Sequence, residues 1–130
     1  QLKFSNRVFS VPFLFVFLIW FTYWIEITFG FNFNKYGVSP RNLGGLKGVL
    51  MAPFIHGDTN HLFNNSVPLF VLSSCLFYFY DKVAVKVLLY GGLFTGFLTW
   101  IIASESYHIG ASGIVYLLFS FIFSPLAMWP

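Results

Sequence analysis

The chain has 130 residues, of which 58% are hydrophobic and 23% aromatic against only 8% charged. A soluble domain carries about a quarter charged residues to cover its surface, and seven basic and four acidic side chains cannot solvate a globule that holds 19 phenylalanines. The composition excludes a water-soluble enzyme and a disordered chain; it leaves an integral membrane protein, all-α and folded as one compact domain.

The seven cations are scattered and form no stripe or arm, which argues against a nucleic-acid partner and makes them interfacial anchors. In chain order, the first charge-free window runs from Val8 to Ile25, 18 residues that rise about 27 Å as a helix. Lys3 and Arg7 precede it, but no small-residue cleavage site follows, so it reads as a retained span. The connection from Phe31 to His61 is long, rich in glycine and carries the Ser39-Pro40-Arg41 turn. Its apolar part, Leu43 to Ile55, is too short to span and is predicted as a re-entrant or interfacial segment. A second span is predicted from Leu62 to Tyr80 and a third from Val87 to Ser104. A fourth lies in the window from Ser106 towards the end, helical from about Ala111. In lipid only helices or closed barrels satisfy their own backbone, and the period-two alternation of a barrel is absent. The expected architecture is a polytopic membrane helix bundle of four transmembrane helices with a partly embedded first loop. With the N-terminus inside, the cations divide four inside to three outside, a slight positive-inside bias. Cys75 is the single cysteine, so no internal disulfide forms.

Polar residues at membrane depth cost several kcal/mol unless they face protein or water, which makes them functional candidates. One constellation is His56-Gly-Asp-Thr-Asn-His61-Leu-Phe-Asn64-Asn65, in which His61 and Asn65 share a helical face and Asp58 or Thr59 can cap the helix start. The plain alternative for His56 and Asp58 is an interfacial polar patch ahead of a span. No metal is expected: His56 and His61 do not share a face and no His-Glu-x-x-His is present. The second constellation is Gly110-Ala111-Ser112-Gly113, with Tyr116 four residues after the serine. Alone, this run reads as close helix packing, as does Gly92-x3-Gly96. Together, a serine at one helix start and a His/Asn pair on another helix are the parts of acyl-transfer chemistry, a nucleophile with oxyanion donors. Glu26 closes the first span as an anchor or an internal hydrogen-bond partner.

His56-x4-His61-x3-Asn65 and Gly110-Ala-Ser112-Gly113 with Tyr116, in this order and on the second and fourth spans, resemble the rhomboid family of intramembrane serine proteases. The resemblance covers essentially the whole chain and implies a single rhomboid-like domain over 1–130, cut short before the helices that carry the general-base histidine. It implies Ser112 as nucleophile and His61, Asn65 and the Ser112 N–H as oxyanion donors. Tyr116 would pack on the base, Gly110 and Gly113 would allow close helix contact, and His56 would support the loop. The implied substrate is a single-span membrane protein cut near the membrane face, with the lipid bilayer as surroundings and no cofactor, metal or nucleic acid. The implied location is a multi-pass protein of the plasma or inner membrane. His108 reads as an ordinary loop residue, and the family's tryptophan–arginine pair in the first loop is replaced by Ser39-Pro40-Arg41. The competing expectation is an inactive rhomboid-like protein, or an inactive fragment of a protease, that binds membrane helices without cutting them.

Overall fold

The computed structural model describes residues 4–124. Lys3, and the fourth window beyond Ser124, lie outside the described residues. Helix α1 spans Arg7–Phe29, α2 is the single turn Gly48–Met51, α3 spans Thr59–Phe79, α4 spans Asp81–Ile102 and α5 spans Ser112–Ile122. Short 3-10 turns at Leu43–Lys47 and Ala52–Phe54 flank α2. Three helices, α1, α3 and α4, have the length and mean hydropathy to cross a membrane. The expected fourth, α5, is an apolar helix of 11 residues among those described, shorter than a hydrocarbon core requires.

Each boundary follows local chemistry. Gly30 ends α1 in the left-handed conformation (φ 72°), its N–H closing on Glu26 O. Asp58 caps α3 through Oδ1, which accepts the His61 N–H at 2.7 Å; of the two caps open from sequence, this one is used. At the other end of α4, Arg41 replaces a cap. Its backbone N–H donates to Trp100 O at 2.9 Å, and its guanidinium donates to Ile101 O and Ala103 O, both at 2.9 Å. A single side chain therefore satisfies carbonyls that a helix C-terminus leaves open.

Helix α3 is central, packed against α1, α4 and α5. Leu62, Leu69 and Leu76 recur every seven residues and are fully buried, with Asn65, Ser66, Ser73 and Phe77 on the same face. Val8, Pro12, Ile19 and Glu26 make the matching stripe on α1, so Glu26 sits on the buried face by position alone. Arg7 binds Asp81 Oδ1 at 2.7 Å and lies over the Phe77 ring at 5.2 Å, locking the start of α1 to the α3–α4 junction. Phe13, Phe17, Phe21, Leu89, Phe94 and many other apolar side chains point outward, the surface of a protein solvated by lipid rather than water.

The apolar segment of the long loop packs along α4. A Cβ at Gly48 would lie 2.2 Å from the Gly37 C and Val38 N atoms, so only glycine admits the approach of α2 to that strand of loop. Gly96 meets Val49 in the same way, where a Cβ would lie 2.8 Å from Val49 Cγ1. The expected packing role of Gly92-x3-Gly96 is thus a contact inside the molecule: Gly96 on the loop helix, and Gly92 facing Ile114 of α5.

Candidate functional site

The loop ahead of α3, the first turns of α3 and the start of α5 meet at His56. Its ring is 1% exposed, and its Nε2 lies 3.1 Å from Asn65 Nδ2 and 3.2 Å from the Ala111 N. A backbone N–H can only donate, so Nε2 carries the lone pair and Nδ1 carries the hydrogen. The same logic orients the Asn65 amide with its nitrogen towards the ring. An imidazolium would place a hydrogen on Nε2 facing these donors. Burial lowers the imidazole from the usual 6.5 to about 4, with His61 adding to the fall and Asp58 opposing it. His56 is therefore a neutral acceptor that ties the second-helix motif to the residue before Ser112.

Gly110 makes the turn into α5. Its φ of +102° is open to glycine and strained for any other residue, and its N–H donates to Ala52 O at 2.8 Å. Ser112 is the first residue of α5. The first N–H groups of a helix have no intrahelical acceptor and sit at the positive end of its dipole. Ser112 also lines a cavity of about 200 Å³ between the loop helix, α4 and α5, together with Ala52, Thr95, Thr99 and Ile109. Gly113 backs it, where a Cβ would lie 3.1 Å from Thr95 Cγ2.

Asn65 is buried, 9% exposed, with one Nδ2 hydrogen directed to His56 and, among the described residues, no protein acceptor for the other. His61, one turn earlier, is exposed, its ring centroid 6.4 Å from that of His56. Among the described residues no hydrogen bond joins Ser112 Oγ to His61 or Asn65; the link between the two motifs runs through His56 and the backbone of Ala111. Tyr116 faces outward at 72% exposure. His108 pairs with Val38 in an antiparallel bridge, and its Nε2 lies 2.7 Å from Ser104 O, a structural post within the α4–α5 connection. No cluster of three metal-ligating side chains occurs among the described residues.

A family model described as Rhomboid domain matches residues 44–128. The chain belongs to the rhomboid family. It is 33% identical over 113 residues to Uncharacterized protein Mb1372 of Mycobacterium bovis, a match covering 78% of this chain and 45% of the relative. Uncharacterized protein MT1378 and Uncharacterized protein Rv1337, both of Mycobacterium tuberculosis, match to the same extent. The chain thus spans less than half the length of these curated relatives. No solved structure matches it. As a rhomboid, this chain is an integral membrane protein of an intramembrane-protease type of family.

Sequence reasoning passed over the Ala111 N–H at the site and the pairing of Arg41 with the end of α4 away from it. The Ala111 N–H is invisible to any motif of side chains. Arg41 and Trp100 join the long loop to α4, with Trp100 Nε1 donating to Asn42 O at 2.8 Å; nothing in their separation along the chain marks them as partners. Glu26 has its Oε2 accepting the Phe33 N–H at 2.8 Å, which settles its two expected roles in favour of an internal hydrogen bond.

Proposed function

We propose that this rhomboid domain works in an intramembrane serine endopeptidase, with Ser112 as nucleophile. Ser112 Oγ attacks the carbonyl carbon of a substrate peptide bond and gives its proton to a histidine base. The C–N bond then breaks, the amine leaves with that proton, and water hydrolyses the acyl-serine ester. Negative charge on the tetrahedral oxygen is met by the Ser112 N–H at the positive end of α5, by the uncommitted Asn65 Nδ2 hydrogen and by His61. Gly110 and Gly113 let the serine turn approach its neighbours, His56 supports the loop, and Tyr116 presents its ring to the base. The observation that carries this reading is the double acceptance at His56 Nε2, which brings the Asn65 amide and the serine turn to one point.

The base itself is proposed to be a histidine outside these 130 residues, a reading supported by the chain's spanning less than half the length of the relatives it matches. The substrate is a membrane protein with a transmembrane helix, cut near the membrane face of a plasma or inner membrane, and the reaction uses neither cofactor nor metal. The second reading is an inactive rhomboid-like protein that only binds membrane helices. Labelling of the full-length protein with a fluorophosphonate separates the two. The protease reading expects labelling that vanishes in Ser112→Ala with the fold retained; equal labelling of both forms sinks it.

A further inference from the structure

A second, smaller cavity of about 190 Å³ opens between the end of α1 and the loop ahead of α3, and its walls include Tyr23, Glu26, Asn32, Asn34 and His56. Among the described residues, two of these lining side chains each hold a buried atom without a protein partner, Glu26 Oε1 and His56 Nδ1. Their residues are 9% and 1% exposed. The other atom of each group is already committed, Glu26 Oε2 to the Phe33 N–H and His56 Nε2 to Asn65 and Ala111. Nε2 is an acceptor, so Nδ1 carries a hydrogen and needs an acceptor, while Glu26 Oε1 needs a donor. Leaving either unmet in a buried site is destabilising.

The chemistry of the two atoms restricts the occupant. A bare cation would face the Nδ1 hydrogen, and an anion would face the carboxyl oxygen. A group that both donates and accepts meets both, and a site needs two to four polar partners and only ~30 Å³ for each water. We propose that this cavity is a resident hydration site in which water joins His56 Nδ1–H to Glu26 Oε1. Glu26 thereby becomes a positioning residue: it holds the imidazole plane from behind while Nε2 holds Asn65 and the turn before Ser112. The chain of contacts runs from α1 through water to the start of α5, two elements far apart in sequence.

The inference stands on the hydrogen-bond count at His56 and does not depend on proteolysis, so its test reads the ring itself. In the full-length protein in nanodiscs with ¹⁵N-histidine, the His56 signals are identified by their loss in His56→Gln. Wild type is expected to show a protonated Nδ1, an unprotonated Nε2 and a cross-peak between Nδ1–H and water. Glu26→Gln keeps an oxygen acceptor and should retain the cross-peak, whereas Glu26→Leu should lose it while the His108 signals stay in place. A bare Nδ1 in wild type, no contact with water, or a cross-peak that survives Glu26→Leu overturns the proposal. If Glu26→Leu does not fold, the wild-type spectrum alone decides it, and fluorophosphonate labelling at Ser112 reports independently on the protease reading.

Discussion

At Gly110 the backbone takes a φ of +102°, and the Ala111 N–H that follows donates to His56. A Cβ there meets no hard obstacle, the nearest atom being Asn65 Nδ2 at 3.7 Å, so the cost of Gly110→Ala is conformational. It should amount to about 1–2 kcal/mol, seen as a lower thermal midpoint in detergent, with the serine turn displaced from Asn65. On the proposed protease reading, Asn65→Ala removes one oxyanion donor, and the full-length protein should lose roughly 10²- to 10³-fold in kcat while His56 keeps its bond to Ala111; a near-normal kcat would remove Asn65 from the chemistry. His56 also makes stability depend on pH. The unfolded imidazole takes its proton near 6.5 and the folded one only near 4, so the unfolded state binds more protons between those values. Stability is full above the upper value and falls with pH towards the lower one, by on the order of 3 kcal/mol at most. Thermal midpoints across that range should show the fall in wild type and not in His56→Gln.

Among the elements, the long loop depends most on contacts distant in sequence. Arg41 sits at φ 56° because its N–H and guanidinium all reach the end of α4. Arg41→Ala should free that end of the loop at a cost of about 1–3 kcal/mol, since charge-assisted bonds are the stronger ones. Hydrogen exchange over residues 37–48 would reveal it as faster exchange than in α3. The Ser39-Pro40-Arg41 turn was legible as a turn from its proline, but not its purpose, because the acceptors come from the far end of α4. The Asp58 cap was legible because cap and helix are adjacent. The packing use of Gly96 was legible as a small-residue face, whereas its partner, Val49 of the loop, was not.

On the scale of the molecule, the outward face of α4 carries Leu89, Phe94, Phe97 and Ile101. Phe94→Arg should cost about 2.5–3.5 kcal/mol of insertion free energy, which a glycosylation-tag insertion assay reads directly. The same substitution leaving insertion unchanged would place that face against water. Hydropathy determined that this chain lives in a membrane, where its three long helices lie, and which residue types form its two motifs. Those are properties of neighbours along the chain, set by a 1.5 Å rise per residue and by the absence of water in lipid. Tertiary structure alone decided that His56 joins the two motifs, that His61 faces outward while Asn65 is buried, and that Glu26 and His56 share a cavity. Each of these depends on which way a ring or carboxyl points once helices pack, and hydrogen-bond direction in a buried site is settled by the donors and acceptors brought from elsewhere in the chain.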